Sequence, residues 1–171
     1  MSHQHQKIAG KGGLLNKETR TRIDHWLEKF PPDHKRSAII QALTAAQDQN
    51  GGWLSEDIMD AVADYLAMPP VWIYEVASFY SMLSLQPVGR HKVNICTNIS
   101  CMLRGAEEIV AMVEQKLGIK LGETTADGRI SLFVEEECLA GCCGAPMMVV
   151  DGHYHENLTP EKVSEILDGL E

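Results

Sequence analysis

The chain has 171 residues, of which 44% are hydrophobic and 23% are charged, and its formal net charge is −9. This length and composition are typical of a globular protein with a proper core and exclude a disordered chain. An acidic protein repels phosphate backbones, so we do not expect nucleic acid as a ligand. No uninterrupted apolar run approaches the roughly 18 residues that span a bilayer, which predicts a chain without direct membrane insertion.

The first half of the chain carries apolar residues at helical spacing, after a polar N-terminal segment. We expect residues 1–15, which lack hydrophobic periodicity, to form a flexible arm. Residues 16–86 are predicted to form a helical bundle. Its predicted helices are, in chain order, residues 16–30, a helix from Asp33 as N-cap to Asn50, a helix with Ser55 as N-cap that ends before Pro69, and residues 71–83.

The last of these predicted helices, residues 71–83, is apolar on several sides. Such a pattern is typical of a helix that is buried between its neighbours. We therefore expect the aromatic side chains of Trp72, Phe79 and Tyr80 to pack in the core rather than to line a cofactor site.

The second half of the chain, residues 87–171, is predicted to be a separate domain because the turn-like residues 87–90 precede a change to short strands. Acidic residues 135–137 are expected to form a solvated rim. The pattern predicts a small α/β layer with a polar site at one edge of the sheet. Its elements are, in chain order, a strand at 91–95, a helix from Met102 to Leu117, a strand at 130–134, a strand at 147–150 that turns at Asp151 into His153, and a final helix capped by Thr159.

Five cysteines form two groups, and each group follows a predicted strand. Cys96 and Cys101 have the spacing C-x4-C, whereas Cys138, Cys142 and Cys143 have the spacing C-x3-C-C. Two pairs of thiols on two loops indicate one site with four thiolates. We expect Cys101 to lie beside a helix N-terminus, where the positive end of the dipole favours a thiolate.

Several chemistries compete for these thiols. The polar start of the chain is unlike a secretory signal, and a cytosolic location keeps thiols reduced, which disfavours disulfides. A structural zinc ion is a second possibility, although zinc sites made of four cysteines mostly use C-x2-C spacing. An iron–sulfur cluster is reached from wider loops and fits the spacing better. Inert or catalytic thiols are the remaining alternative, but the C-x-x-C of dithiol exchange is absent from the sequence.

The sequence resembles a known family, the thioredoxin-like [2Fe-2S] ferredoxin subunits of NADH-quinone oxidoreductase, or 24 kDa subunit family. The resemblance covers nearly all of the chain beyond residue 15. It is carried by residues 75–82 (Glu-Val-Ala-Ser-Phe-Tyr-Ser-Met), by the C-x4-C group continuing into Met102-Leu103-Arg104-Gly105, by the C-x3-C group, and by Ala145-Pro146-Met147-Met148.

The resemblance implies a helical bundle followed by a thioredoxin-like domain that binds one [2Fe-2S] cluster. Carried over by position, the ligands would be Cys96, Cys101, Cys138 and Cys142, and Cys143 would be a nearby thiol that does not coordinate iron. The family implies an electron-transfer role beside a flavoprotein partner that holds FMN and NADH. It also implies a cytoplasmic location, peripheral on the inner membrane through the complex.

Two departures in the second cysteine loop qualify the resemblance. One is the position of its glycine, and the other is Cys143, an extra thiol beside Cys142 that is the alternative to Cys142 as a ligand. The family loop reads Cys-Leu-Gly-x-Cys, whereas this chain has Leu139-Ala140-Gly141, so loop dihedral angles are expected to differ. Gly141, Gly144 and Ala145 suit a close approach of backbone amides to a cluster, and simple turn formation explains them equally well.

Three alternative functions remain open at the level of sequence. Related subunits serve the diaphorase modules of NAD-dependent hydrogenases and formate dehydrogenases. A non-catalytic, zinc-stabilised interaction module would use the same four thiols, and a free-standing soluble ferredoxin would act without a complex. The chain lacks a G-x-G-x-x-G motif after a strand, so we do not expect it to bind NADH or FMN itself. Partner contacts are expected at the apolar segment 71–83 and at the rim of the cluster.

Overall fold

The computed structural model describes residues 11–133 and 138–171. The chain divides into two compact units between Pro87 and Val88. Each unit has a hydrophobic core of its own. Within the described ranges, no helix combines the length and the apolar composition that crossing a membrane requires.

The first unit is a bundle of helices. Asn16 and Ser55 cap two of them, because their side chains accept hydrogen bonds from the amides of Thr19 (2.8 Å) and Ile58 (3.3 Å). The cap predicted at Ser55 is confirmed. In the described part of this unit the α-helices are α1 (Lys17–Leu27), α2 (Ile39–Gln49), α3 (Glu56–Leu66) and α4 (Pro70–Phe79).

The first two helices differ in extent from the prediction. The 3₁₀ helix Pro32–Ala38 is kinked at His34 (φ −113°, ψ 24°), so α2 begins only at Ile39 and Asp33 does not cap it. The first helix ends at Leu27 rather than Phe30, because the amide of Phe30 bonds to the carbonyl three residues before it, as in a tightened last turn.

Part of the segment predicted to be a flexible arm is ordered. The residues Lys11–Leu14 form a 3₁₀ helix, and Leu15 is buried in the core of the helical unit. The prediction is therefore wrong for residues 11–15, because burial of an apolar side chain anchors them. Residues 1–10 lie outside the described residues.

The fourth helix is not buried on all sides, contrary to the prediction. Ile73 and Ala77 face the core, but Trp72 is partly exposed and Phe79 is 74% exposed. Tyr80, just beyond the helix, packs partly against the core and contacts the ring of Phe79 edge-on. Further exposed apolar side chains in and after this helix belong to Val71, Met82 and Leu85.

The described strands of the second unit are β1 (His91–Ile95), β2 (Ile130–Phe133), β3 (Met148–Val150) and β4 (His153–His155). They form one mixed sheet in the order β2-β1-β3-β4. β1 is parallel to β2 and antiparallel to β3, and β3 and β4 form a hairpin. The bounds predicted for the first strand are confirmed. The last residue of the second predicted strand, Val134, and the predicted acidic rim at 135–137 lie outside the described residues.

One helix predicted in the second unit is interrupted. A short helix, α5 (Ile99–Met102), is separated from α6 (Ala106–Leu117) by Gly105, whose φ of +88° lies in the left-handed region. Cys101 therefore belongs to α5 and does not begin the longer helix. The last helix, α7 (Pro160–Asp168), begins as predicted, with Thr159 accepting a hydrogen bond from the amide of Lys162 at 3.3 Å.

Candidate iron–sulfur site

The two cysteine loops follow the two parallel strands, β1 and β2. Cys96 comes directly after β1 and is 2% exposed, and Cys101 lies in α5 and is 1% exposed. Cys138 follows β2 across the undescribed residues and is exposed, as are Cys142 and Cys143 in the 3₁₀ helix Cys142–Gly144. Because β1 and β2 are parallel, their carboxyl ends bring both loops to one edge of the sheet.

Four of the five thiols interact with one another. Cys96 is hydrogen-bonded to Cys101 within its own loop and to Cys138 on the other loop. Cys138 is also hydrogen-bonded to Cys142. Besides burial, the charge of Cys142 raises the pKa of Cys101. Cys143 takes no part in these contacts among the described residues. The structure thus brings together the four thiols that the sequence predicts as ligands.

Backbone amides donate hydrogen bonds to three of these sulfurs. The amides of Asn98 and Leu139 donate to Cys96, so that one donor comes from each loop. The amide of Met147 donates to Cys101. The amide of Ala140 donates to the Sγ atom of Cys138 at 3.3 Å. These donors favour the ionised form of the thiols.

The amides of two small residues in the second loop, Gly144 and Ala145, are bonded within the loop itself. The amide of Gly144 donates to the carbonyl of Gly141 at 2.9 Å, and that of Ala145 donates to the carbonyl of Cys142 at 3.3 Å. Both amides are therefore used in forming the turn, which was the alternative explanation for these residues.

The surroundings of the two buried thiols shift their pKa values in opposite directions. Burial of Cys96 opposes ionisation, but the amides of Leu139 and Asn98 and the neighbouring thiols outweigh it and hold the pKa of Cys96 below its usual value. Burial and the hydrogen bond to Cys96 raise the pKa of Cys101 to about 11.

At Cys138, in the second cysteine loop, opposing effects again act on the pKa of a thiol. The amide of Ala140 lowers the pKa of Cys138, but desolvation and the thiols of Cys142 and Cys96 together leave it above its usual value. Of Cys96, Cys101 and Cys138, only Cys96 has a pKa below its usual value, so its surroundings favour the thiolate most.

Ala140 adopts a backbone conformation that side chains other than glycine rarely take. Its φ is +58°, in the left-handed region. Ala140 stands where the resembled family has glycine, and its φ lies in the region that favours glycine. The expectation that the dihedral angles of this loop differ from those of the family stays a prediction.

The donor set fits an iron–sulfur cluster. Thiolates are the ligands of such clusters, and amide donors to the sulfurs offset the negative charge that the cluster carries. Among the described residues, no group of three or more His, Cys, Asp or Glu side chains is arranged to hold a metal ion, so the fit rests on the types of donor and on their amide partners. The four thiols are instead linked pairwise across the two loops.

Sequence analysis did not identify two residues that support the site, Asn98 and Met147. The side chain of Asn98 accepts a hydrogen bond from the amide of Ile99 at 2.8 Å and so caps α5, while its own amide donates to Cys96. Asparagine is a preferred cap, and its position between the two cysteines is a signal that could have identified it. Met147 is the first residue of the strand predicted at 147–150, and the hydrophobic periodicity of that strand does not distinguish Met147 from Met148.

The chain is similar to a known family and to several known proteins. Residues 23–171 match the family described as thioredoxin-like [2Fe-2S] ferredoxin. The chain is 44% identical over 156 residues to an NADH-quinone oxidoreductase subunit of Rickettsia bellii, covering 91% of this chain and 93% of that protein. It is 41% identical over 156 residues to "NADH dehydrogenase [ubiquinone] flavoprotein 2, mitochondrial" of Dictyostelium discoideum, covering 91% of this chain and 63% of that one.

A solved structure shares the fold at low sequence identity. It is an NAD+-reducing [NiFe]-hydrogenase in the air-oxidized state, which matches 77% of this chain with a TM-score of 0.60 and 19% identity. This chain corresponds to 22% of that hydrogenase chain, so the likeness supports the fold alone.

Proposed function

The chain belongs to the thioredoxin-like [2Fe-2S] ferredoxin family, and from this membership we propose that it is the electron-transfer subunit of an NADH-quinone oxidoreductase. The family resemblance and the fold class predicted from the sequence, a helical bundle followed by a thioredoxin-like ferredoxin domain, are confirmed. The proposal is supported by bacterial relatives that are named as subunits of this oxidoreductase and match over nearly their whole length.

The four interacting thiols are the observation that carries this proposal. Cys96, Cys101, Cys138 and Cys142 would hold one [2Fe-2S] cluster, because they contact one another across the two loops and Cys143 does not. When bound, such a cluster accepts and releases one electron at a time.

The protein's own residues control charge and solvent at this site. The amides of Asn98, Leu139 and Met147 direct partial positive charge at the sulfurs of the buried pair and so offset the charge of the thiolates. The buried pair, Cys96 and Cys101, excludes water on one side. Cys138 and Cys142 face solvent, which leaves an edge that a redox partner can approach.

We propose that the partner is a flavoprotein subunit that holds FMN and NADH and exchanges single electrons with this chain. Exposed apolar side chains near the buried thiols, those of Ile99, Met102 and Leu103, offer one contact surface. Phe79 and its neighbours in the helical unit offer another. The chain would then reach the cytoplasmic face of the inner membrane only through the complex.

The cofactor is tested by measuring iron, zinc and acid-labile sulfide per chain on anaerobically purified protein. We expect two irons, two sulfides and, after reduction, an electron paramagnetic resonance (EPR) signal of spin one-half. One zinc per chain with no such signal would refute the electron-transfer function and favour the zinc-stabilised module.

The host complex is tested separately by affinity purification of the tagged chain under gentle conditions. We expect an FMN-containing subunit and other respiratory subunits to copurify. Recovery of hydrogenase or formate dehydrogenase subunits would contradict the assignment to NADH-quinone oxidoreductase. A chain that stays monomeric in lysate would indicate a free-standing ferredoxin.

A further inference from the structure

Met147 connects to the first cysteine loop through both of its backbone polar groups. Its carbonyl accepts a hydrogen bond from the amide of Cys96 at 3.1 Å. Its own amide donates to the sulfur of Cys101. One residue outside the loop thereby holds both of its cysteines.

The side chain of Met147 reaches the second cysteine loop. It is 0% exposed and packs in a small core with Cys96 and Cys101, against which Leu139 also lies. It fills the space above Gly141, because a Cβ atom added to that glycine would overlap the Sδ atom of Met147 and lie 2.7 Å from its Cε atom. The next nearest atom to that position, an oxygen of Glu156, lies at 3.8 Å.

We propose that Met147 is a positioning residue that sets the separation of the two cysteine loops and thereby the geometry of the four thiolates around the cluster. The inference rests on the proposed function, since it concerns the same site. Functional groups have to be held within about 0.5 Å of their working positions, and supporting residues supply that precision. The flexible thioether of methionine fills an irregular gap such as the one above Gly141.

Met148 provides a matched control in the adjacent position. It is also 0% exposed, but it lies in β3 and packs in the core of the sheet with Val93 and Val150 rather than with the cysteines. If Met147 were an ordinary core residue, truncating either methionine would have the same consequence for the cluster.

The test compares the cluster-loaded Met147→Ala and Met148→Ala variants with the wild-type protein. The readouts are the EPR line shape after reduction and the rate at which an iron chelator bleaches the visible absorption. For Met147→Ala we expect an altered line shape and loss of the cluster roughly 10–100-fold faster, the range typical of residues that support metal ligands. For Met148→Ala we expect lower thermal stability with the wild-type line shape. Equal effects of the two substitutions on the cluster would overturn the proposal.

Substitutions that change the side-chain volume at Gly141 and Met147 test the contact between Met147 and the second loop. Gly141→Ala places a methyl group in the space that Met147 occupies and should speed cluster loss, whereas Met147→Leu, which keeps most of the volume, should change it little. In the double variant Gly141→Ala/Met147→Ala the new methyl group enters the vacated space, so the combined effect should be smaller than the sum of the single effects. Additive effects would contradict the contact.

The failure of this inference is distinguishable from the failure of the proposed function. Wild-type protein without iron and sulfide would refute the proposed function. Wild-type protein that holds the cluster, together with equal behaviour of the two alanine variants, would refute only the positioning role. If Met147→Ala does not fold, Gly141→Ala alone decides, because unchanged cluster loss in that variant contradicts the proposal.

Discussion

Cys142 and Cys143 are adjacent exposed thiols with different surroundings. Cys142 interacts with Cys138 and Cys101, whereas Cys143 is absent from the thiol contacts of the described residues. We therefore expect Cys142→Ser to lose most of the bound iron and Cys143→Ser to keep it. Iron and sulfide per chain, measured after anaerobic purification, check this prediction. Iron retained in Cys142→Ser and lost in Cys143→Ser would show that the neighbouring thiol is the ligand.

Ala140 carries conformational strain that glycine would remove. The left-handed region costs a residue with a side chain about 1–2 kcal/mol, which a substitution to glycine would remove. Glycine has greater freedom in the unfolded chain, and the entropy that it loses on folding offsets part of this stabilisation. We expect Ala140→Gly to raise the free energy of unfolding by about 1 kcal/mol or less. Urea denaturation of the cluster-loaded protein measures the change.

Gly128 supplies the reverse control for this prediction. It has a φ of +67° and no atom within 4 Å of an added Cβ, so Gly128→Ala tests the same dihedral strain in open space. We expect it to destabilise the protein by about 1 kcal/mol. Destabilisation by Ala140→Gly would mean that the methyl group of Ala140 makes a favourable contact that outweighs the strain.

His91 joins the first strand to the β3–β4 turn and to the end of the chain. Its Nδ1 atom lies 2.6 Å from the carboxylate of Asp151, and its Nε2 atom lies 2.9 Å from the backbone oxygen of Glu171. The hydrogen bond to Asp151, and then that to Glu171, raise the pKa of His91 above its usual value near 6.5. The stabilisation is therefore complete below about pH 6.5 and is lost as pH rises through the raised pKa.

An NMR titration of the imidazole checks this prediction directly. We expect the midpoint of His91 to lie above 6.5 in the wild-type protein and to fall in Asp151→Asn, which removes the charge. The free energy of unfolding lost in His91→Gln should be greatest at acidic pH. A wild-type midpoint at or below 6.5 would contradict the ion pair.

At the scale of elements, α4 separates residues that hold the bundle from residues that face outward. Ile73 is fully buried, so Ile73→Ala should cost about 2–5 kcal/mol of stability.

Phe79 is 74% exposed, and Phe79→Ala should leave the thermal midpoint of the isolated chain nearly unchanged while reducing copurification of partner subunits. Calorimetry and affinity purification measure the two effects. Undiminished copurification would exclude Phe79 as a contact.

The same helix shows where prediction from sequence fails. An apolar face that another subunit would cover has the same residue pattern as one buried by the chain's own core, so residues 71–83 were predicted to be buried. Hydrophobic periodicity also continued across residues 103–105, where α5 has ended and Gly105, with a left-handed φ, precedes α6. Local signals were more dependable, as the bounds of β1 and the caps at Ser55 and Thr159 show.

The grouping of four thiols at the candidate site was predictable from the sequence, but the residues that support them were not. Cysteine spacing and family resemblance singled out the four thiols that the structure brings together. The amide donors of Asn98 and Leu139 depend on loop geometry, which spacing does not specify. Likewise, the contact between Met147 and Gly141 joins residues from opposite sides of a turn.

At the scale of the whole molecule, the two units respond to different perturbations because each has its own core. A metal bound by two loops couples their order to its binding. We expect removal of the cluster by a chelator to accelerate amide hydrogen exchange in residues 96–101 and 138–148, with little change in residues 17–79. Mass spectrometry of peptides from loaded and chelated protein checks this. Uniform acceleration along the chain would show that the helical unit also depends on the cluster.

The contrast between the buried pair, Cys96 and Cys101, and the exposed pair, Cys138 and Cys142, has a consequence for damage and repair. An oxidant that diffuses in from water meets the outer pair first, so attack on the proposed cluster would start at that edge. The inner pair lies shielded in the core, so half of the proposed ligand set would remain chemically intact. A protein that has lost its iron in this way would need only its outer thiols reduced before it could be refilled.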